Sequence, residues 1–132
     1  MGLFPEKVQQ AMQKAIDATK EYKQYTVNFA VGYGGQQEIM DTAKKIIQKV
    51  VSGELSQKDI SKEDFESSMY FDLPNIDLIV RTGGARRTSG FMPWKGAYAE
   101  WYFTDKFWPE FNKHDFLRVL TDYSERKRRF GR

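Results

Sequence analysis

Cationic side chains crowd a short segment in the second half of the sequence, directly after a mainly apolar run. The run covers residues 76–80, and the double glycine Gly83–Gly84 follows it closely. The guanidinium and hydroxyl groups of this segment belong to Arg81, Arg86, Arg87 and Ser89. Guanidinium groups pair bidentately with phosphoryl oxygens, and a hydroxyl adds a further donor. This combination favours a site for a diphosphate over one for other common ligands.

The segment that precedes these side chains is expected to place them at the edge of a sheet. A short apolar run that ends in a glycine-rich turn is typical of a buried parallel strand. In open α/β folds, ligands bind beyond the carboxyl ends of such strands. We therefore expect Arg81 and the loop after it to lie at the ligand-binding edge.

The remaining pattern predicts an α/β fold, a mostly parallel sheet with flanking helices. The predicted elements in chain order are a helix after Pro5, a strand at 26–33, a helix at 39–51, a short helix after Ser61, a strand at 76–81, a strand within 97–103 and a last helix after Asn112. Because helices separate the first two of the three strands, parallel pairing is favoured. The length favours a single domain, residues 1–132. So small a sheet has an open edge, which favours pairing with another chain.

Composition narrows the class of protein. Hydrophobic residues make up 40% and aromatic residues 15% of the chain, enough for a packed core. The absence of cysteine excludes disulfides and thiolate metal sites. No apolar stretch approaches the roughly 18 residues of a membrane span, and the N-terminus has no apolar signal-peptide core. These observations predict a cytoplasmic protein.

The net charge of +3 is concentrated at the C-terminus. Residues 125–132 contain five basic residues and one acidic residue, a net +4, which leaves −1 for the other 124 residues. A basic tail can bind nucleic acid or an anionic membrane surface. The slightly acidic remainder argues against nucleic acid as a partner, whereas peripheral contact with a membrane stays open.

The segment 81–100 resembles the signature of the cis-prenyltransferases, the undecaprenyl diphosphate synthase family. The matching motifs are Arg-Thr-Gly-Gly at 81–84, Arg-x-Ser at 87–89, Phe-x-x-Trp at 91–94 and Ala-Tyr-Ala-Glu at 97–100. The resemblance extends from Phe4 to Arg132 and covers the family's C-terminal half, whose fold this chain is then expected to share. It implies Mg²⁺-dependent condensation of isopentenyl diphosphate with an allylic diphosphate to form a Z double bond. The family's Asp-Gly-Asn-x-Arg motif, which belongs to its N-terminal half, has no match here.

The resemblance also assigns binding roles to individual residues. Arg81, Arg87 and Ser89 would hold the diphosphate of isopentenyl diphosphate, and these residues are the expected catalytic group together with Glu100. Arg86 stands at a position that varies in the family and is a second-rank candidate for the same contact. A surface ion pair at the end of a strand is the alternative for Arg81.

Metal binding and assembly are implied by other parts of the resemblance. Glu100 would support the Mg²⁺–diphosphate cluster, with an exposed strand carboxylate as the alternative. Arg129 and Gly131 match an Arg-x-Gly element that reaches the diphosphate site of the partner across a dimer. The aromatic-rich segment 94–111 would serve both as core and as interface. The expected assembly is a homodimer, or a complex with a chain that supplies the N-terminal half.

Three positions depart from the pattern of the family. Gln36 replaces an arginine, Ala85 replaces a glutamate and Gly90 replaces an asparagine. These departures keep a second hypothesis open, in which the chain is a non-catalytic partner subunit of a heteromeric cis-prenyltransferase. The double glycine Gly34–Gly35 is interpreted mainly as a structural turn between a strand and a helix.

Overall fold

The structure, a computed structural model, describes residues 4–127. It divides into two compact units, Met1–Tyr33 and Gly34–Arg132. The first unit contains helix α1 (Glu6–Thr19), which begins directly after Pro5 as the sequence predicts. Proline suits this position because a helix start needs no hydrogen bond from its N–H group.

The strand predicted at residues 26–33 is wrong. The apolar side chains alternate along this segment, but it forms no strand and Phe29 is 84% exposed. A strand requires a neighbouring strand whose backbone accepts and donates its ladder hydrogen bonds. Within residues 4–127, the strand pairing joins two other segments instead. Alternation alone therefore identified a strand-like sequence without identifying its neighbour.

The second unit has the expected α/β composition in the residues that the structure describes. Its helices and strands are α2 (Gly35–Val51), α3 (Lys62–Ser67), β1 (Leu78–Arg81), β2 (Glu100–Phe103) and α4 (Lys113–Glu125). Two short 3₁₀ turns lie at Gln57–Asp59 and Trp108–Glu110. The strands pair in parallel, which confirms the predicted pairing. No helix within residues 4–127 is long and apolar enough to cross a membrane.

Capping boxes start α3 and α4, the helices that the sequence predicts after Ser61 and Asn112. Ser61 accepts from the backbone N–H of Asp64, and Asn112 accepts from that of Asp115; each acidic side chain accepts in return. Lys106 also donates to Asp115 at 2.7 Å, which joins the start of α4 to the segment after β2. These contacts hold the pKa of Asp115 below its ordinary value, with the hydrogen bond from Lys106 as the largest cause.

The apolar core of the described residues is small. Its buried hydrophobic side chains are Ile46, Met69, Ile79, Met92 and Val119. The sequence predicted a buried strand here, but Ile79 is the one buried residue of β1. Much apolar surface therefore stays exposed, as expected when a short chain has too little volume to cover its own sheet.

The start of α2 packs tightly against the loop that follows β1. A β-carbon on Gly35 would lie 2.1 Å from the carbonyl oxygen of Gly90 and 2.4 Å from the Cδ of Pro93. Only a residue without a side chain allows this approach of the two backbones. The double glycine thus has the structural role that the sequence analysis proposed, but Gly35 fills it by packing against the arginine-containing loop, and no strand precedes it.

We expect the Gly35→Ala variant to be destabilised by about 1–3 kcal/mol, the usual cost of overpacking, measured as the free energy of unfolding in urea. Gly34→Ala is the matched control, because a β-carbon there meets only the Cβ of Gln37, at 3.8 Å. As a change at the N-cap of α2, this control should cost less than about 1 kcal/mol. Equal stability of the two variants would contradict the packing argument.

Candidate anion-binding site

The turn after β1 is built on glycines in the left-handed region. Gly83 and Gly84 have φ angles of 85° and 75°, which other residues adopt only with strain. Their N–H groups donate to the carbonyl oxygens of Lys106 at 2.8 Å and Thr104 at 3.0 Å. The turn is therefore fixed to the segment after β2, and both backbone donors are already in use.

The side chain of Arg81 is held at the carboxyl end of β1 by the loop that returns to it. Its Nη1 donates to Ser89 Oγ at 3.0 Å and also to the carbonyl oxygen of Arg87. Ser89 has a φ of 49°, a value that costs energy for a residue with a side chain. The structure thus brings the side chains of Arg81 and Ser89 together, and Arg87 takes part through its backbone carbonyl oxygen.

Arg86 and Arg87 extend their side chains from the surface of this loop. Both residues are exposed. Among the described residues, neither guanidinium group has a hydrogen bond or an ion pair. Together with Arg81 they make a cationic surface at the carboxyl end of the sheet, the edge that the sequence analysis predicted for a ligand.

Trp94, the last residue of the Phe-x-x-Trp motif, fastens the far end of the loop to α3. Its Nε1 donates to Glu66 Oε1 at 3.1 Å, and its ring lies 4.4 Å from that of Phe65. Lys95 is 6% exposed and pairs with Glu66 Oε2 at 3.2 Å. These contacts hold the pKa of Glu66 below its ordinary value, and the hydrogen bond from Trp94 is the largest cause. Sequence reasoning missed Glu66, because a single glutamate in a polar helix carries no local signal.

Glu100 lies at the other end of the sheet. It stands opposite Leu78 at the start of the parallel strands, whereas Arg81 stands opposite Phe103 at their end. Three residues along a strand correspond to about 10 Å. Glu100 accepts from Arg126 Nη1 at 3.0 Å, so the structure does not bring it together with the arginines of the loop.

The described residues do not fit a magnesium site by themselves. No group of three histidine, cysteine, aspartate or glutamate residues that could hold a metal ion occurs within residues 4–127. Glu100, the predicted ligand, is paired with Arg126 instead. A guanidinium group that close competes for the oxygen that a hard cation would need.

The remaining predicted site residues, Arg129 and Gly131, lie outside the described residues. Of the aromatic-rich segment 94–111, part is packed and part is exposed. Trp101 stacks on Phe103 with ring centroids 5.6 Å apart, whereas Phe107 is 66% and Trp108 72% exposed. Large exposed aromatic side chains are frequent at protein interfaces.

Comparison with known proteins identifies several similar chains. The prenyltransferase family model, described as undecaprenyl diphosphate synthase, matches residues 1–131. The chain is 47% identical over 135 residues to the tritrans,polycis-undecaprenyl-diphosphate synthase (geranylgeranyl-diphosphate specific) of Methanocaldococcus jannaschii, covering all of this chain and 48% of the relative. The synthase of the same name from Methanopyrus kandleri is 47% identical over 133 residues, with 49% of its length covered.

A solved structure shows the same fold. Lavandulyl diphosphate synthase from Lavandula x intermedia, in complex with dimethylallyl diphosphate, superposes with a TM-score of 0.91 at 35% identity. The match covers 98% of this chain and 56% of that chain. The chain therefore spans about half the length of the curated relatives it matches.

Proposed function

Because the chain belongs to the undecaprenyl diphosphate synthase family, we propose that it supplies the isopentenyl diphosphate site of a cis-prenyltransferase. Arg81, Arg87 and Ser89 hold the diphosphate, and Arg86 adds a further cation. The observation that carries this proposal is the hydrogen bond from Arg81 Nη1 to Ser89 Oγ. It pre-orients a guanidinium group at the edge of the sheet where the ligand is expected.

Side chains, rather than backbone amides, bind the diphosphate. The N–H groups of Gly83 and Gly84 donate to protein carbonyls, so they are not available to a phosphate. The guanidinium groups of Arg86 and Arg87 have no such commitment among the described residues. Arg81, Arg86 and Arg87 can together neutralise a diphosphate. Because Arg81 is already oriented, its contact with the ligand costs little side-chain entropy.

In the proposed reaction, the allylic C–O bond breaks and the allylic diphosphate leaves with the electron pair. The alkene of isopentenyl diphosphate attacks that carbon, a C–C bond forms, and loss of a proton gives the new Z double bond. This chain fixes the diphosphate of isopentenyl diphosphate and so aligns its alkene. The magnesium requirement and a cytoplasmic location stay predictions, and peripheral contact with a membrane stays open.

Calorimetric titration with isopentenyl diphosphate tests this function directly. Isopentenol, which lacks the diphosphate, is the matched ligand control and should not bind. Failure of the chain to bind isopentenyl diphosphate would contradict the proposal. Binding that withstands replacement of Arg81 would contradict the assignment of the site.

Assembly with another chain is part of the proposal. A partner can cover the exposed rings of Phe107 and Trp108 and the outer edges of the two-stranded sheet, which are unpaired within residues 4–127. The partner is a second copy of this chain, or a chain that supplies the N-terminal half of the family fold. The non-catalytic partner subunit remains the alternative, since it would use the same surface.

We expect the chain to associate in sedimentation equilibrium, with an average mass above the 15.5 kDa of a monomer. Replacing the exposed aromatic residues removes apolar contact area, so Phe107→Ser together with Trp108→Ser should weaken association. Leu117→Ser, on the exposed surface of α4, is the control for an apolar loss elsewhere. A monomer at high micromolar concentration would contradict self-association.

A further inference from the structure

The loop that follows β1, residues 82–95, is held at its start, in its middle and at its end. Two backbone hydrogen bonds tie the turn at its start to the segment after β2. Its middle is held by Arg81, whose Nη1 donates to Ser89 Oγ at 3.0 Å. At its end, the side chains of the loop contact Glu66 of α3. The contact with Glu66 therefore decides how the end of the loop is fixed to the fold.

Two consecutive side chains of the loop share the carboxylate of Glu66. Trp94 Nε1 donates to Oε1 at 3.1 Å, and Lys95 Nζ pairs with Oε2 at 3.2 Å. Lys62 Nζ, one turn back in α3, lies 3.4 Å from Oε1. Because Lys95 is 6% exposed, its ammonium group and the carboxylate attract each other where water screens them little. Lys95 thus orients the carboxylate, and Oε1 meets the indole N–H of Trp94.

The backbone between Arg81 and Trp94 is strained. Ser89 and Met92 have φ angles of 49° and 43°, which residues with a side chain adopt only at an energetic cost. Such conformations persist where the surrounding contacts over-determine them. Arg81 supplies such a contact at Ser89, and Trp94 supplies another two residues after Met92. Loss of the Trp94 contact should therefore let the loop relax from its arrangement.

We propose that Glu66 is a positioning residue of the anion-binding site, which acts through the indole N–H of Trp94 to hold the strained loop in its arrangement. The inference rests on the proposed function, in which this loop binds a diphosphate. By its charge alone, a carboxylate in this part of the fold disfavours an anion, so its removal would strengthen binding. The positioning role has the opposite sign, since removal of Glu66 should weaken binding.

Two double variants of equal charge test this role. Replacing Glu66 alone would leave the buried ammonium group of Lys95 unpaired and destabilise the fold, so both variants contain Lys95→Met. Glu66→Gln/Lys95→Met keeps an oxygen that accepts from Trp94, whereas Glu66→Ala/Lys95→Met does not. In calorimetric titration with inorganic pyrophosphate, the first should bind within about twofold of wild type and the second about tenfold more weakly. A tenfold loss corresponds to a loop that keeps its binding arrangement in about one tenth of the molecules.

Hydrogen exchange without any ligand tests the anchor separately. The amide of Phe91 donates to the carbonyl oxygen of Thr88 at 3.0 Å within the loop, so its protection reports on the arrangement of the loop. It should lose most of its protection in Glu66→Ala/Lys95→Met and keep it in Glu66→Gln/Lys95→Met. The amide of Thr104, which donates to the carbonyl oxygen of Arg81, is the internal reference. Equal acceleration at Thr104 would mean that the whole unit has loosened and would contradict the positioning role.

Single substitutions on either side of the contact complete the test. Trp94→Phe keeps a ring against Phe65 but removes the N–H donor, so it should weaken pyrophosphate binding about as much as Glu66→Ala/Lys95→Met. Glu63→Gln removes a carboxylate from an exposed position of the same helix. As the matched control, it should leave the affinity within about twofold of wild type. Wild-type affinity in both Trp94→Phe and Glu66→Ala/Lys95→Met would overturn the proposal.

Failure of this inference and failure of the proposed function give different results. If wild type binds no pyrophosphate while Phe91 loses its protection in Glu66→Ala/Lys95→Met, the proposed function fails and Glu66 still positions the loop. If wild type binds pyrophosphate and neither the affinity nor the exchange of Phe91 responds to the variants, the diphosphate site stands and the positioning role is wrong.

Discussion

With isopentenyl diphosphate, an allylic diphosphate and Mg²⁺, the 132-residue chain alone is expected to form no polyprenyl product. The chain covers 48–52% of the lengths of the first curated relatives, and it lacks the Asp-Gly-Asn-x-Arg motif of the family. The site proposed here holds only one of the two substrates. Incorporation of radiolabelled isopentenyl diphosphate into extractable product is the measurement.

Activity should appear when a second chain supplies the remaining half of the fold. The N-terminal half of the Methanocaldococcus jannaschii synthase is a suitable source, because that protein is 47% identical to this chain over the matched region. An Arg81→Ala chain in the same mixture is the control and should restore little turnover. Incorporation by the pure 132-residue chain would contradict this prediction, and a restored activity indifferent to Arg81 would indicate a non-catalytic subunit.

Replacing Arg81 by alanine should lower the affinity for isopentenyl diphosphate and for pyrophosphate about 10- to 150-fold. This range corresponds to the loss of about 1.5–3 kcal/mol for hydrogen bonds that involve a charged group. Arg87→Ala should cause a loss within the same range, because its guanidinium group is exposed and available to the ligand. Arg81→Lys keeps the charge without the planar fork and should recover only part of the affinity.

Arg118→Ala is the matched control, since it removes the same charge from an exposed position on α4. This substitution should lower the affinity only through the long-range electrostatic potential of the protein, which added salt screens. Equal pyrophosphate affinity of wild type and the Arg81→Ala/Arg87→Ala double variant would contradict the site. Thermal unfolding of each variant separates lost binding from lost folding, because Arg81 contacts the loop rather than the core.

Much of the second unit could be predicted from the sequence, because local chemistry determines those features. Ser61 and Asn112 satisfy the first N–H groups of the helices that follow them, whatever the rest of the fold does. Gly83 and Gly84 supply backbone conformations that other residues avoid. The apolar run before Arg81 and the helices between the first two predicted strands pointed to parallel pairing, and with it to a loop after Arg81 at the carboxyl end of the sheet.

Only the tertiary structure decided which neighbours these segments have. The segment 26–33 has the period of a strand, but a ladder needs a second backbone in register, and that information is not local. The register of β1 and β2 placed Glu100 at the end of the sheet away from Arg81. The same packing brought Arg126 to Glu100 across 26 positions of sequence and Glu66 to Trp94 across 28. A side chain's type and spacing determine what chemistry it can perform, whereas its partner is chosen by the packing of segments distant in sequence.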